Sequence, residues 1–129
     1  MENFHLEATS KTPEIKLDAD SREFLIAGRS IPENSIEFYK PIFDWLEQYS
    51  QSTIDEQTTL NVRLEYFNTS SSKCLVEVFR RLEDIKDTGK DIVVNWYYEE
   101  DDEDMQESGE DFKEIINLPI NMEILEEEE

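Results

Sequence analysis

The chain has 129 residues, with 12 Lys and Arg against 33 Asp and Glu, a formal net charge of −21 at neutral pH. That length suits one domain with one core, and a hydrophobic share of 37% with 11% aromatics is well above what a disordered chain carries, so the chain is expected to fold. The charge excludes nucleic acid as a partner, because a phosphate backbone is held by clustered Lys and Arg and the densest basic spot is the pair Arg80 and Arg81; an anionic membrane surface is excluded by the same sign.

A single cysteine, Cys74, has no partner for an intramolecular disulfide. No apolar run approaches the roughly 20 residues of a membrane-spanning helix, and no leader of charged then apolar residues opens the chain. The expectation is a cytoplasmic protein without membrane insertion.

Short alternating stretches around Phe4, Leu6 and Ala8, then Ile15 and Leu17, then Phe24 and Ile26 before Gly28, predict three strands. Asp18, Asp20 and Ser21 mark a turn between the second and third, hence an N-terminal hairpin. After Pro32, Glu33, Asn34 and Ser35, the residues Ile36, Tyr39, Ile42, Phe43, Trp45 and Leu46 recur at helical spacing, with Asn34 or Ser35 as cap. Pro41 inside this helix lacks an amide hydrogen and predicts a kink. Residues 48–57 are polar and read as a loop. Residues 59–67 alternate as a strand, and Cys74, Leu75, Val78, Phe79, Leu82 and Ile85 share one face of a second helix that ends near Gly89.

The β-branched and aromatic run 91–98 predicts another strand. It leads into six consecutive acids, 99–104, read as a solvated face, then a helix over about 104–116 and a last short strand over 118–124. Residues 1–125 form the expected single domain and 126–129 an acidic tail. Strands joined by helices pair in parallel, so the fold class is α/β: a mixed β-sheet with an N-terminal hairpin and helices packed mainly on one face.

Catalytic and metal chemistry find little support. One His and one Cys, His5 and Cys74, are far apart and lack ligand spacing. The acidic run lacks the alternating ligands and central glycine of an EF-hand loop. With only three glycines there is no phosphate-cradling loop or dinucleotide fingerprint, and the lone His5 offers no triad. A non-enzymatic protein without cofactor is expected.

The most informative segment runs from the fourth strand through Asn68, Thr69, Ser70, Ser71, Ser72 and Lys73 into the second helix. The plain reading of its hydroxyls is helix capping. The functional reading is that one of them accepts a phosphoryl group, since free amides and the positive helix end favour a dianion there. Asn34 and Ser35 read as helix-capping residues that also contribute surface near Thr69.

The segments Pro32-Glu33-Asn34-Ser35 and Tyr66-Phe67-Asn68-Thr69-Ser70-Ser71, with Asp44-Trp45 on the helix between them, resemble the SiaC family of bacterial biofilm-regulating phosphoproteins. The resemblance spans most of the chain. It implies a STAS-like fold similar to anti-sigma-factor antagonists, and a partner-switching mechanism. A serine/threonine protein kinase would phosphorylate Thr69, with Ser70 and Ser71 as alternatives, and a PPM-type phosphatase would remove the phosphate. The unphosphorylated form would bind and activate a diguanylate cyclase, controlling cyclic di-GMP and biofilm formation. Partner contacts would involve Asn68, Thr69, Ser70 and Ser71 together with Asn34 and Ser35. The neighbouring alternative is an antagonist that sequesters a kinase-type anti-sigma factor; a more distant one is an acidic mimic of nucleic acid.

Overall fold

A computed structural model describes residues 1–52 and 56–125; the expected acidic tail lies outside them. In chain order the elements are β1 (Phe4–Leu6), β2 (Glu14–Asp18), β3 (Glu23–Ser30), α1 (Ser35–Ser50), β4 (Thr58–Phe67), α2 (Thr69–Asp87), β5 (Ile92–Glu99), α3 (Glu103–Ile115) and β6 (Ile120–Leu125). The described strands make one sheet in the order β1-β2-β3-β4-β5-β6. The first three pair antiparallel, and β3 to β6 are parallel neighbours, each pair joined through a helix. A monotonic strand order with crossovers of one hand puts α1, α2 and α3 on the same face.

The burial pattern follows from that layering. Phe24 and Ile26 of β3, Leu60, Val62 and Leu64 of β4, and Ile92, Val94 and Trp96 of β5 point under the helices and are buried. They meet Ile42, Trp45 and Leu46 of α1 and Leu75, Val78, Phe79 and Leu82 of α2 in one core. Phe24 packs edge-on to both Trp45 and Tyr49, at 5.2 and 5.1 Å between ring centres. None of the described helices lies on the opposite face of the sheet. There a ladder of side-chain amides crosses the strands: Asn121 donates to Asn95 at 3.1 Å, Asn95 to Asn61 at 3.0 Å, and Asn61 to Glu23 at 3.3 Å.

The hairpin turn forms because Asp18 Oδ1 accepts the amides of Asp20 and Ser21, and these bonds hold the Asp18 carboxyl below its ordinary pKa. Three expectations need correction. First, α1 continues through Ser50, into the stretch read as loop, because Tyr49 falls on its buried face and hydrogen-bonds Thr58 at 2.7 Å. Second, β3 extends past Gly28 to Ser30. Third, β4 does not alternate to its end. Leu64 pairs with Gly28 but Tyr66 pairs with Arg29, so Glu65 is an extra residue opposite a Gly28 at φ 108°. Beyond this bulge the faces exchange: Tyr66 is 53% exposed, while Phe67 turns inward against Trp96 and Phe112.

The acidic run is absorbed by local structure. Glu99 closes β5, Asp102 caps α3 by accepting the Met105 amide at 3.0 Å, and Glu103 and Asp104 occupy the first turn of α3, where the helix dipole favours anions. Farther along α3, Gly109 lies against the Trp96 indole, whose Nε1 donates to Met105 O at 2.9 Å. A Cβ at Gly109 would sit 2.5 Å from Trp96 Cδ1. Gly109→Ala should therefore lower stability by about 1–3 kcal/mol, measurable as a reduced urea midpoint with an unchanged slope.

Candidate functional site

The parallel strands β3 and β4 end side by side, and each feeds a helix. Residues 31–34 lead from Ser30 into α1, and Asn68 alone separates β4 from α2. Both helices begin with an asparagine cap: Asn34 Oδ1 accepts the Glu37 amide at 3.1 Å, and Asn68 Oδ1 accepts the Ser71 amide at 2.8 Å. Two helix N-termini thus lie together at the carboxyl edge of the sheet.

Ser30 is the junction. Its carbonyl accepts both the Asn68 amide at 3.0 Å and the Ser71 hydroxyl at 2.9 Å. Its own hydroxyl lies 2.8 Å from Ser71 Oγ and 2.7 Å from Tyr39 OH. A serine hydroxyl has one proton to give. Because Ser71 gives its proton to the Ser30 carbonyl and Ser30 gives its own to Ser71, Tyr39 must be the donor to Ser30. Ser30, Tyr39 and Ser71 are each fully buried. Burial pushes the Tyr39 phenol up to about 12, opposed by the Ser30 hydroxyl, which can turn to donate to the phenolate, and reinforced by the neighbouring Cys74.

A second, shallower pair joins the helices directly. Ser35 Oγ and Ser70 Oγ are 2.7 Å apart, and Ser70 donates to Asn68 Oδ1 at 3.1 Å. With the Ser70 proton so placed, Ser35 is the donor to Ser70. Ser35 is 5% exposed.

The candidate hydroxyls are therefore not equivalent. Ser71, counted above both as an alternative acceptor and as a partner contact, is enclosed and committed to Ser30 in both directions. Ser35 is likewise buried, so it reaches a partner only through its neighbours. Ser70 is exposed but held by Ser35 and Asn68. Thr69 is exposed, and among the described residues its hydroxyl makes no hydrogen bond. The amides of Thr69 and Ser70 have no acceptor among the described residues either, whereas those of Ser71 and Ser72 bond to Asn68. Open amides beside an exposed hydroxyl, at a helix N-terminus, are suited to an anion.

Ile36, placed by its spacing on the apolar face of α1, is instead 72% exposed, the most exposed of the large hydrophobic residues described. It stands one residue beyond the Ser35–Ser70 contact. Trp45 and Leu46 are buried as expected, while Phe43 is half-buried under the Arg81 guanidinium, 5.3 Å from its ring centre. Cys74 is buried, which raises its thiol pKa, with the Glu77 charge adding to the effect. His5 lies on the exposed side of β1, bonded to Glu14 at 3.0 Å, and the described residues hold no group of three or more His, Cys, Asp or Glu arranged for a metal. No described helix is long and apolar enough to cross a membrane.

Residues 6–125 match the model of the SiaC family regulatory phosphoproteins. The chain belongs to the SiaC family. An uncharacterized protein of Pseudomonas aeruginosa (strain UCBPP-PA14) is 31% identical over 120 residues, covering 93% of this chain and 94% of that protein. The crystal structure of apo-SiaC from Pseudomonas aeruginosa superposes with a TM-score of 0.86 at 30% identity, covering 95% of this chain and 99% of the other. A chain in the crystal structure of the diguanylate cyclase SiaD in complex with its activator SiaC, from the same species, superposes at 0.87 with 30% identity and the same coverage. This SiaC-family chain thus shares the mixed six-stranded sheet and three helices of those structures.

The alkaline limb of stability should report the buried phenol. With an ordinary value of 10.0 and a folded value of about 12, Tyr39 keeps its proton in the folded chain over a range where the unfolded chain has lost it. Its contribution is complete below pH 10 and drains away as pH rises toward 12. Tyr49 is raised in the same direction, mainly by burial. Tyr39→Phe should cost about 1 kcal/mol at neutral pH for the lost hydrogen bond, yet lose stability less steeply than wild type above pH 10, as followed by denaturant midpoints across the alkaline range.

Proposed function

We propose that this chain is a phosphorylation-switched activator of a diguanylate cyclase, without catalytic activity of its own, acting in the cytoplasm, and that Thr69 carries the switch. The observation that carries the reading is the exposed, uncommitted Thr69 hydroxyl beside two open amides. The family supports it, as does the activator role of SiaC toward SiaD in Pseudomonas aeruginosa. A serine/threonine kinase transfers the γ-phosphoryl group of ATP to Thr69 Oγ1, the hydroxyl proton leaving to a base of the kinase and ADP departing. A PPM-type phosphatase adds water across the P–O bond, restoring the hydroxyl and releasing inorganic phosphate.

The dipole of α2 stabilises an exposed anion by only about 0.3–1 kcal/mol, too little to rebuild the fold. The consequence lies at the surface. Adding roughly −1.5 to −2 charges at the rim where Ser35 meets Ser70, next in sequence to the exposed Ile36, places a strongly hydrated group at a docking surface, and docking then requires stripping its water. The unphosphorylated form binds the cyclase through that rim, and phosphorylation releases it.

Immobilised unphosphorylated protein should retain a diguanylate cyclase from extracts of its own host and increase its output of cyclic di-GMP. Thr69→Ala should preserve binding and abolish phosphate incorporation by the kinase, read by intact mass and peptide mapping. Recovery of a sigma-factor inhibitor with no cyclase, or undiminished incorporation into the Ala variant, would overturn the reading. Ile36→Asp should weaken cyclase binding by about tenfold or more, as for an apolar anchor at an interface, with little change in thermal midpoint because the side chain is already exposed.

A further inference from the structure

We propose that the Ser35–Ser70 hydroxyl pair transmits the state of Thr69 to the first turn of α1, so that a phosphoryl group acts on Ile36 through a hydrogen-bond exchange as well as through its own charge. The inference rests on Thr69 being the acceptor and names how that site is read out.

The chain of donors has one vulnerable link. Ser35 gives its proton to Ser70 at 2.7 Å, and Ser70 gives its proton to Asn68 Oδ1 at 3.1 Å. That amide oxygen is already the acceptor for the Ser71 amide at 2.8 Å, so the Ser70 hydroxyl holds the longer of two competing bonds to a neutral acceptor. A phosphoryl group on the adjacent Thr69 brings dianionic oxygens, which form shorter and stronger hydrogen bonds than a neutral amide oxygen does. To reach the phosphate the Ser70 side chain turns about its Cα–Cβ bond, and this rotation, unlike a mere swing of the O–H, carries the oxygen out of the position in which it accepts from Ser35. Ser35 is then a buried hydroxyl without its acceptor, a state that folded chains relieve by moving. What moves is the first turn of α1, which carries the exposed Ile36.

The deeper Tyr39–Ser30–Ser71 chain is untouched by this exchange, because both Ser30 and Ser71 remain paired. Response is therefore confined to the rim, and the sheet and the bodies of both helices stay in place. Ser35 and Ser70 are positioning residues in this scheme; neither receives the phosphate.

The test uses the full chain with phosphothreonine genetically incorporated at position 69, so that no kinase is needed. The Ile36 methyl resonances should shift on phosphorylation in the wild-type background. The shift should shrink at least severalfold in Ser35→Ala and in Ser70→Ala, and return in Ser70→Thr, which restores a hydroxyl. In parallel, the fold-loss of cyclase affinity caused by phosphothreonine should be smaller in Ser35→Ala than in wild type, a coupling that a double-mutant cycle isolates. An Ile36 shift and an affinity loss equal in all backgrounds would overturn the relay while leaving phosphorylation as the switch. A wild-type protein whose Ile36 methyls ignore phosphothreonine would also overturn it. Failure of the kinase to modify Thr69 instead counts against the proposed function, and the two failures are separate measurements.

Discussion

The Ser30 carbonyl is where the architecture is tied together. It ends the strand that bridges the antiparallel and parallel parts of the sheet, and it receives both the backbone amide that begins the β4–α2 connection and the side chain of Ser71 on α2. Through its hydroxyl the same residue holds Tyr39 of α1. A buried peptide oxygen with two donors is fully satisfied. Removing either donor leaves polar surface in the core, so the two helix starts are held in one position relative to each other. Everything at the rim, including the exposure of Thr69 and the proximity of Ser35 to Ser70, depends on that anchor.

The placement of elements was largely legible because most of them obey simple periods. The β5 run is buried on alternate residues from Ile92 to Tyr98, and the α2 stripe from Cys74 to Ile85 is buried throughout. The resemblance to a known family agreed with this order. Legibility failed where tertiary context overrode the period. Tyr49 lengthens α1 because its ring finds Phe24 and its hydroxyl finds Thr58; nothing in the polar residues around it announces those partners. The β4 bulge is hidden in an unbroken alternation, and only Gly28 on the facing strand hinted that the backbone there adopts a conformation other residues avoid.

At the proposed site, the sequence singled out one segment but could not rank its hydroxyls. Four in succession at a helix start look interchangeable in one dimension. In three dimensions the helix turns them through different surroundings, burying Ser71 and leaving Thr69 outside. Ser30 and Tyr39 were missed as members of the site because each reads as ordinary: one ends a strand, the other occupies an apolar stripe. Ile36 was assigned inward because the helical spacing is right, yet in the first turn of α1 it is Ser35 that is buried and Ile36 that faces outward.

The asparagine ladder on the bare side of the sheet has a mechanical meaning for the opposite edge. Asn61 pairs in register with Asn95, and Asn95 with Asn121, so the amide chain closes only when the three strands stand at one relative height. A slip along any of them separates donors from acceptors and sets side chains of unlike kind opposite one another. The row therefore works as a gauge, fixing how far β4 extends before the chain turns into α2. A surface that no described helix covers thus helps to set the height at which β4 hands the chain over to α2.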